Sequence, residues 1–459
     1  MKKVLLAMVA SIALLAGCSD GIKVEQSSDS ENVAKTVQYS QRKEQLAFLK
    51  QNSTYQLTEE QMEDSLKKFV KTVSENGSRS LCADDSYIIS NRSKKLISVK
   101  NPSSSVARAA SASEETSEYP IYTYEIYNKD TDKSAVAITS TDLRLGAVLA
   151  MTEEGDLDDD EVKPFADIFY SKINDYILET TYLWNEIDVK ENSARSFLDD
   201  LAYIIGECCT YSDFKELQSC TNNILKTKWG QGDPYNKYVL ATRGNFPTGC
   251  GPTALAQIMA GLEYNESAIH IASGYDWGEM KKAPDIESVS PKAKEQIAYL
   301  MYYLGNALGA QYKKNGTAVT YSDIESYLTR NGYYHYDRDF SMFNIVQSLD
   351  FGFPLLCMGI DKDNFLDENL QKMKVGHCWV IDGYKIFTCT MKNIITGDTA
   401  EITDYFVHCN LGWTGKCDGY YRSCIFDVKT VPLPDEFENN EIGFFKYNLR
   451  AISHVAHIK

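Results

Sequence analysis

The spacing of hydrophobic residues predicts several amphipathic helices and one long buried strand in the C-terminal half. Leu255, Ile258, Met259 and Leu262 recur at helical spacing and form the buried stripe of a helix that begins near residue 250. A second helix is predicted from Ser290 through Ala307. By contrast, residues 375–383 form an apolar run between glycines, which indicates a buried strand.

The N-terminal half shows its own sequence of helix, strands and helix. Thr58 and Gln61 form a capping box that predicts a helix start. Residues 121–127 and 135–140 predict a hairpin, and residues 146–151 a further strand. A helix then carries apolar residues at four-residue spacing, namely Phe165, Phe169, Ile173 and Ile177. This half of the chain is therefore predicted to be a folded α+β region.

Composition and charge limit the possible functions. The chain has 459 residues, of which 43% are hydrophobic, so two globular domains with real cores are expected. A net charge of -17 argues against nucleic acid as a partner and against adhesion to anionic lipid. The acidic run 156–161 lacks the spacing of a calcium-binding loop, which favours a solvated loop.

The N-terminus indicates export. Lys2 and Lys3 precede an apolar run over residues 4–15, which is too short for an ordinary spanning helix. The run ends in Leu-Ala-Gly-Cys, and this tetrad resembles the cleavage signal of bacterial lipoproteins. We therefore expect lipidation of Cys18, attachment to the outer membrane or cell surface through that lipid, and a signal peptide over residues 1–17. Residues 18–40 are predicted to be a flexible tether.

The cysteines do not form an obvious metal site. The chain contains 12 cysteines, and they lack the close Cys-x-x-Cys spacing of zinc sites. We therefore expect no metal, and many of the thiols are expected to be free.

Cys250 is the candidate nucleophile, because it lies where a helix begins with a glycine on either side. The unpaired N–H groups and the positive end of the helix dipole favour a thiolate there. His377, on the predicted strand, is the candidate base. Strand alternation places His377 and Trp379 on one face and Cys378 on the other, so Cys378 is expected to point away from the site.

Three further residues are candidates for supporting roles. Gln231 offers a side-chain amide that could donate to an oxyanion beside the Cys250 backbone N–H. Asn410 and Trp413 follow a predicted strand and could orient His377. The order Cys250, His377, Asn410 matches papain-like peptidases, and the gap from Cys to His is close to the papain spacing of about 130 residues.

Four ordered motifs resemble those of the streptopain family of papain-fold bacterial cysteine peptidases. They occupy residues 231–236, 248–259, 376–383 and 408–415. The resemblance implies an α+β fold, in which a two-lobed papain-like catalytic domain follows an α+β inhibitory prodomain. It also implies that Cys250 and His377 perform the chemistry, that Gln231 helps to form the oxyanion hole, and that the enzyme is made as a zymogen.

The chain departs from the family pattern at two places. Gly251 and Pro252 follow the nucleophile where the family usually has Val-Ala, so a tighter helix entry is expected. Leu411 replaces a tryptophan that in the family packs by the catalytic histidine. Support of His377 then falls to Asn410 and Trp413.

The resemblance and the patterns together predict a division of the chain. The prodomain with its connector is expected over residues 41–221 and the catalytic domain over residues 222–459. Cleavage is expected within residues 190–225, where residues 190–195 are polar. Such a cut would also release the catalytic domain from its lipid.

The predicted activity is hydrolysis of peptide bonds in proteins, by a monomer that needs no cofactor and is inhibited by its own prodomain. Two alternatives stay open at this stage. One is a papain-fold leader peptidase or acyltransferase, because the string Cys-Gly-Pro-Thr-Ala also occurs in leader peptidases. The other is a non-catalytic surface-binding lipoprotein with a decayed site, for which Leu411 leaves room.

Overall fold

The computed structural model describes residues 28–51, 55–75, 86–100, 116–187, 209–219, 223–263, 274–282, 289–313, 316–361, 375–393, 399–427 and 447–457. The predicted signal peptide, Cys18 and residues 190–208 of the predicted connector lie outside these ranges. None of the helices in the described ranges is long and apolar enough to span a membrane.

In the described part of the N-terminal region, residues 28–187, three helices pack against four strands. Its elements are α1 (Ser28–Gln51), α2 (Glu59–Glu75), β1 (Tyr87–Lys100), β2 (Thr116–Asn128), β3 (Lys133–Ser140), β4 (Val148–Thr152) and α3 (Lys163–Glu186). The hairpin, the strand after it and the long helix predicted from the sequence are confirmed. The side chains of Phe165, Phe169, Ile173 and Ile177 are all buried, as their spacing requires.

The C-terminal region contributes the remaining elements. Its helices are α4 (Lys237–Thr242), α5 (Cys250–Gly261), α6 (Trp277–Met280), α7 (Pro291–Ala307), α8 (Tyr321–Arg330), α9 (Met342–Asp350) and α10 (Ser423–Phe426). Its strands are β5 (Cys209–Ser219), β6 (Gln311–Lys313), β7 (Gly316–Ala318), β8 (Tyr333–Asp339), β9 (Leu355–Asp361), β10 (Val375–Asn393), β11 (Thr399–Asn410), β12 (Gly419–Arg422) and β13 (Tyr447–His457). The predicted α+β class is confirmed.

One antiparallel sheet runs through both regions. Its strand order is β1-β2-β3-β4-β12-β11-β10-β9-β13-β8, and β5 also pairs with β10. The two regions meet where β4 pairs with β12, with Met151 opposite Tyr420. The strands of the N-terminal region therefore extend the sheet of the C-terminal region at the edge formed by β12.

The sheet separates two parts of the hydrophobic core that matter for the site. On one face α5 and α7 pack against Cys378 and Val380 of β10. On the other face α3 of the N-terminal region packs against Trp379 of the same strand. Gly359 on β9 allows the close approach of α3, because a Cβ atom there would lie 2.5 Å from Ile168 Cδ1. Strand β10 therefore contacts α5 and α7 on one face and the N-terminal region on the other.

Local signals explain where the helices begin. The Thr58 N–H donates to Gln61 Oε1 at 2.9 Å and the Gln61 N–H donates to Thr58 Oγ1 at 3.1 Å, which confirms the capping box. Ser290 accepts the Ala293 N–H at 3.3 Å before Pro291 begins α7. Both predicted helix starts are correct to the residue.

Helix α1 differs from the sequence-based expectation. It begins at Ser28, inside the segment predicted as a tether over residues 18–40. Leu46 and Leu49 in its second half are buried in the core of the N-terminal region. From these two buried residues the helix continues toward its N-terminus through polar residues, which show no helical spacing of apolar positions.

Candidate active site

Cys250 is the first residue of α5, as the sequence predicts. Gly249 before it has φ +101°, a conformation that favours glycine, and a Cβ atom there would lie 3.3 Å from the Thr317 carbonyl oxygen. The Thr253 N–H donates to the Gly249 carbonyl at 3.1 Å and closes the first turn. The helix therefore begins directly at Cys250, and the half-buried thiol of this residue lies at the helix N-terminus.

The side chain of Val319 explains why glycine follows the nucleophile in this chain. A Cβ atom on Gly251 would lie 2.5 Å from Val319 Cγ2. The space that a larger residue would need is thus occupied by a neighbouring side chain. The packing gives a reason for glycine at this position, and the tighter helix entry expected from the sequence stays a prediction.

His377 is buried on β10, with 1% of its surface exposed. Its Nε2 lies 3.0 Å from the Leu411 carbonyl oxygen, and a carbonyl can only accept, so Nε2 carries the proton. Trp413 stacks on the ring with a centroid distance of 4.1 Å and an angle of 6°. The imidazole is therefore fixed by one hydrogen bond and one aromatic face.

Neighbouring groups lower the pKa of the Cys250 thiol. The Cys378 thiol makes the largest contribution to a pKa of Cys250 that lies well below its usual range. Burial acts in the opposite direction, and His377 and the Cys378 backbone N–H lower the pKa further. Since Nε2 of His377 is bound to Leu411, Nδ1 is the nitrogen left to face the sulfur. The arrangement favours the thiolate of Cys250, the reactive state of a thiol nucleophile.

Cys378 does not point away from the site, and the prediction that it would is wrong. The alternation itself is as expected, because Cys378 packs with α5 while Trp379 packs on the opposite face. The error lay in placing Cys250 on the His377 side alone, whereas Cys250 packs against the cluster of side chains that holds Cys378. A second cysteine directly after the histidine was the signal in the sequence.

Gln231 is brought to the entry of the catalytic helix. Its carbonyl accepts the Thr248 N–H at 2.9 Å, two residues before the nucleophile. Its Nε2 donates to the Gly412 carbonyl at 3.4 Å, a long contact for a half-buried amide. The amide group therefore lies between the segment leading to Cys250 and the turn that holds His377.

Asn410 shapes the turn beside the site. Its Nδ2 donates to the Thr227 carbonyl at 2.8 Å, and its Oδ1 accepts from Gln257 Nε2 at 2.9 Å. Oδ1 also lies 3.3 Å from the Gly412 N–H. Among the contacts of the described residues, the partner of His377 at this turn is the Leu411 carbonyl instead of the Asn410 side chain.

A buried charged cluster lies behind the same turn, and sequence reasoning did not find it. Asp418 Oδ1 accepts the Leu411 N–H at 2.7 Å, and burial raises the pKa of Asp418 to about 7. His408 lies 2.6 Å from Asp382 and 3.2 Å from Glu153. Although burial opposes it, these two carboxylates raise the pKa of His408 to about 10. Asp418 thus binds the N–H of the same residue whose carbonyl holds His377.

The described residues contain no group of three or more histidine, cysteine, aspartate or glutamate side chains placed to hold a metal ion. The reactive groups of the site are a thiol and an imidazole.

Comparison with known proteins agrees with this chemistry. Residues 229–421 match the model of the Peptidase C10 family. One solved structure that matches is a fragment of prointerpain A from Prevotella intermedia, at 18% identity over 80% of this chain and 100% of that one, with a TM-score of 0.42. No curated protein matches the chain. Residues 229–421, which hold Cys250 and His377, are thus a domain similar to the Peptidase C10 family, the streptopain family, and this part of the chain is a cysteine peptidase.

Proposed function

We propose that this chain is the zymogen of an exported, lipid-anchored endopeptidase that cleaves proteins with Cys250 as its nucleophile. The observation that carries the proposal is the position of Cys250 at a helix start, where an imidazole held by Leu411 and Trp413 helps to lower the pKa of its thiol.

The reaction follows from these positions. The Cys250 thiolate attacks a peptide carbonyl, and the resulting oxyanion accepts hydrogen bonds from the Cys250 backbone N–H and the Gln231 amide. The His377 imidazolium then gives its Nδ1 proton to the leaving amine. Water, activated by the now neutral imidazole, hydrolyses the acyl-enzyme and restores the thiolate. Gln231 must release its long contact with Gly412 to reach the oxyanion.

The contacts of α3 support the assignment of the N-terminal region as an inhibitory prodomain. Phe165 meets the ring of His377 edge-on at a centroid distance of 6.3 Å and packs on Trp379 at 5.4 Å. The helix therefore covers the histidine from the side opposite to α5. Separation of the N-terminal region would uncover this face.

The pairing of β5 narrows the expected cleavage site. Residues 209–219 pair with β10, the strand that carries His377. A cut after this segment would detach a strand from the catalytic sheet, whereas a cut before it would leave the sheet whole. We therefore place activation cleavage within residues 190–208.

Export and anchoring rest on the N-terminal sequence. Lys2 and Lys3, the apolar run over residues 4–15 and Cys18 carry that part of the proposal. Substitution Cys18→Ala in the full chain, expressed in a bacterium, should release the protein from the membrane fraction. An equal membrane share for both forms would contradict the lipid anchor.

The activity is tested on the chain from residue 19, as wild type, Cys250→Ala and Cys424→Ala. Cys424 is a matched control, because it is also a half-buried free thiol. Under reducing conditions, wild type and Cys424→Ala should shorten by the N-terminal region and cleave casein, while Cys250→Ala should stay intact and inactive.

Two results would contradict the proposal. If Cys250→Ala retains casein cleavage, Cys250 is not the nucleophile. If wild type stays inactive even after trypsin has cut the connector, the chain does not cleave proteins broadly.

A further inference from the structure

Gln257 is a buried amide on the helix that carries the nucleophile. It follows Cys250 by seven residues of α5, which is two helical turns, so the two side chains lie on the same side of the helix. The proposed steps of peptide hydrolysis do not involve Gln257. A polar side chain that is fully buried requires hydrogen-bond partners, and the partners of this one indicate its role.

The partners of Gln257 belong to two different segments of the active site. Its Oε1 accepts the Trp229 N–H at 3.0 Å, and its Nε2 donates to Asn410 Oδ1 at 2.9 Å. Trp229 lies two residues before Gln231, and Asn410 begins the turn that holds His377. One side chain therefore connects the helix of the nucleophile with the segment of the oxyanion amide and with the turn of the base.

The direction of each hydrogen bond in this pair of amides is fixed by the backbone. The Trp229 N–H can only donate, so the atom of Gln257 that it meets is the oxygen. The Thr227 carbonyl can only accept, so the atom of Asn410 that lies 2.8 Å from it is the nitrogen. The remaining nitrogen of Gln257 then faces the remaining oxygen of Asn410. An apolar residue in place of Gln257 would remove both of its bonds and leave the Trp229 N–H without this acceptor.

The turn after Asn410 connects this contact to the base. Asn410 Oδ1 lies 3.3 Å from the Gly412 N–H, and the carbonyl of Leu411, the residue between these two, binds His377 Nε2 at 3.0 Å. The Gly412 carbonyl accepts the Gln231 amide at 3.4 Å. This three-residue turn therefore contacts both the imidazole and the proposed oxyanion donor.

We propose that Gln257 is a positioning residue for the peptidase reaction, which holds the turn of His377 in a fixed position relative to the helix of Cys250. Without its amide the turn should move more freely relative to α5, so the imidazole should be aligned with the thiol less of the time. The effect on peptide cleavage rests on the proposed role of Cys250, whereas the state of its thiol can be measured without any cleavage.

The rate at which iodoacetamide alkylates Cys250 at different pH values measures its thiolate directly. Cys378 and His377 are the groups that lower the pKa of this thiol, and His377 is held by the turn. The chain from residue 19 is cut in its connector with trypsin and labelled for short times over a range of pH, and the label on Cys250 is quantified by peptide mapping. In Gln257→Leu, the midpoint pH of alkylation should rise by about 1 relative to wild type.

Gln296→Leu is a matched control. Gln296 is also a buried amide on a helix, and it accepts the Asp276 N–H at 3.1 Å and donates to the Gly274 carbonyl at 2.7 Å. Its partners lie outside the active site, so its loss should lower stability without a change in the alkylation midpoint. In steady-state assays, Gln257→Leu should reduce kcat by about 10- to 100-fold with a smaller change in KM, whereas Gln296→Leu should keep both.

Gln257→Asn replaces the leucine variant if thermal unfolding shows that the latter is misfolded. The shorter amide stays polar but cannot reach both Trp229 and Asn410, so the alkylation midpoint should rise here too.

The alkylation midpoint decides the proposal. If a folded Gln257 variant has the midpoint of wild type, or if Gln296→Leu raises the midpoint equally, Gln257 does not position the base and the proposal is overturned. If the midpoint rises only in the Gln257 variant but wild type never cleaves casein, the positioning role stands and the proposed endopeptidase function fails.

Discussion

At the scale of single residues, the groups around Cys250 add to what the helix start does for its reactivity. A helix start predicts some stabilisation of a thiolate. The largest cause of the lowered pKa is nevertheless the thiol of Cys378, a residue remote in sequence. His377 also lowers the pKa of this thiol. The position of His377 depends on the Leu411 carbonyl. The reactive group is therefore built by three segments that the chain brings together only on folding.

The stacking of Trp413 on His377 gives a first prediction. Trp413→Leu removes the aromatic face, so the imidazole should lose its orientation and kcat should fall by about 10- to 100-fold with a smaller change in KM. Trp413→Phe keeps a ring and should lose less than Trp413→Leu. Steady-state assays of both variants after activation measure this. Equal losses in both, at unchanged thermal stability, would show that the stack does not position the histidine.

Asp418 gives a second prediction, on the pH dependence of stability. Its pKa is raised to about 7 in the folded chain, so folding favours the protonated form. The unfolded chain releases that proton near pH 3.9. The contribution is therefore complete below pH about 4 and is lost as pH rises through about 7. Asp418→Asn should abolish this loss while keeping an acceptor for the Leu411 N–H.

Urea unfolding of wild type and Asp418→Asn between pH 4 and 7 measures that difference. The free energy of unfolding of wild type should decline relative to the variant across this window, by up to about 1.4 kcal/mol per pH unit. Parallel curves would show that Asp418 does not hold its proton in the folded chain.

At the scale of elements, the start of α5 depends on a fit between Gly251 and Val319. Gly251→Ala would normally favour a helix by about 1 kcal/mol. Here its Cβ atom would lie 2.5 Å from Val319 Cγ2. The cost of overpacking should exceed the gain in helix propensity, so the free energy of unfolding should fall by about 1 to 3 kcal/mol.

A double-mutant cycle tests this fit. Gly251→Ala combined with Val319→Ala should be more stable than the sum of the two single losses predicts, since the second change removes the clash. Additive losses in urea unfolding would show that the contact does not determine the entry of the helix.

Elements of this chain were easier to predict than positions within the site. The stripe from Leu255 to Leu262, the Thr58–Gln61 capping box and the Ser290 cap identify helices because their physics is local. The Leu411 carbonyl was missed because backbone groups leave no mark in a sequence. The position of Cys378 on the same side as Cys250 was missed. Strand alternation predicts on which face of a strand a side chain lies, but not which element packs against that face.

At the scale of the whole molecule, the N-terminal region joins the peptidase domain by strand pairing and by buried charge. Beyond the β4–β12 pair, the Glu153 N–H donates to the Asp418 carbonyl at 2.7 Å. The Glu153 side chain lies 2.7 Å from Lys228 and 3.2 Å from the buried His408. One residue of the N-terminal region thus connects to the cluster behind the catalytic turn.

This connection predicts that the two parts stay associated after the connector is cut, and that Glu153 contributes to the association. In a Cys250→Ala background, which avoids self-digestion, Glu153→Gln should raise the dissociation constant of the cleaved parts by about tenfold or more. Glu154→Gln is a matched control, because Glu154 pairs with Lys133 inside the N-terminal region. Gel filtration of the cut protein at decreasing concentration measures the dissociation.

The dependence of this effect on pH has a definite sign. Burial opposes ionisation, but His408 and Lys228 hold the pKa of Glu153 well below its usual 4.5, so its contribution is complete above pH 4.5 and is lost as pH falls. Burial opposes the charge on His408, but Asp382 of the same region and then Glu153 raise its pKa to about 10, so it stays charged as pH falls from there. The difference between wild type and Glu153→Gln should therefore be complete at pH values from about 5 to 8 and shrink as pH falls below 4.5. Equal dissociation constants of the two proteins at these pH values would mean that strand pairing and apolar packing alone hold the N-terminal region in place.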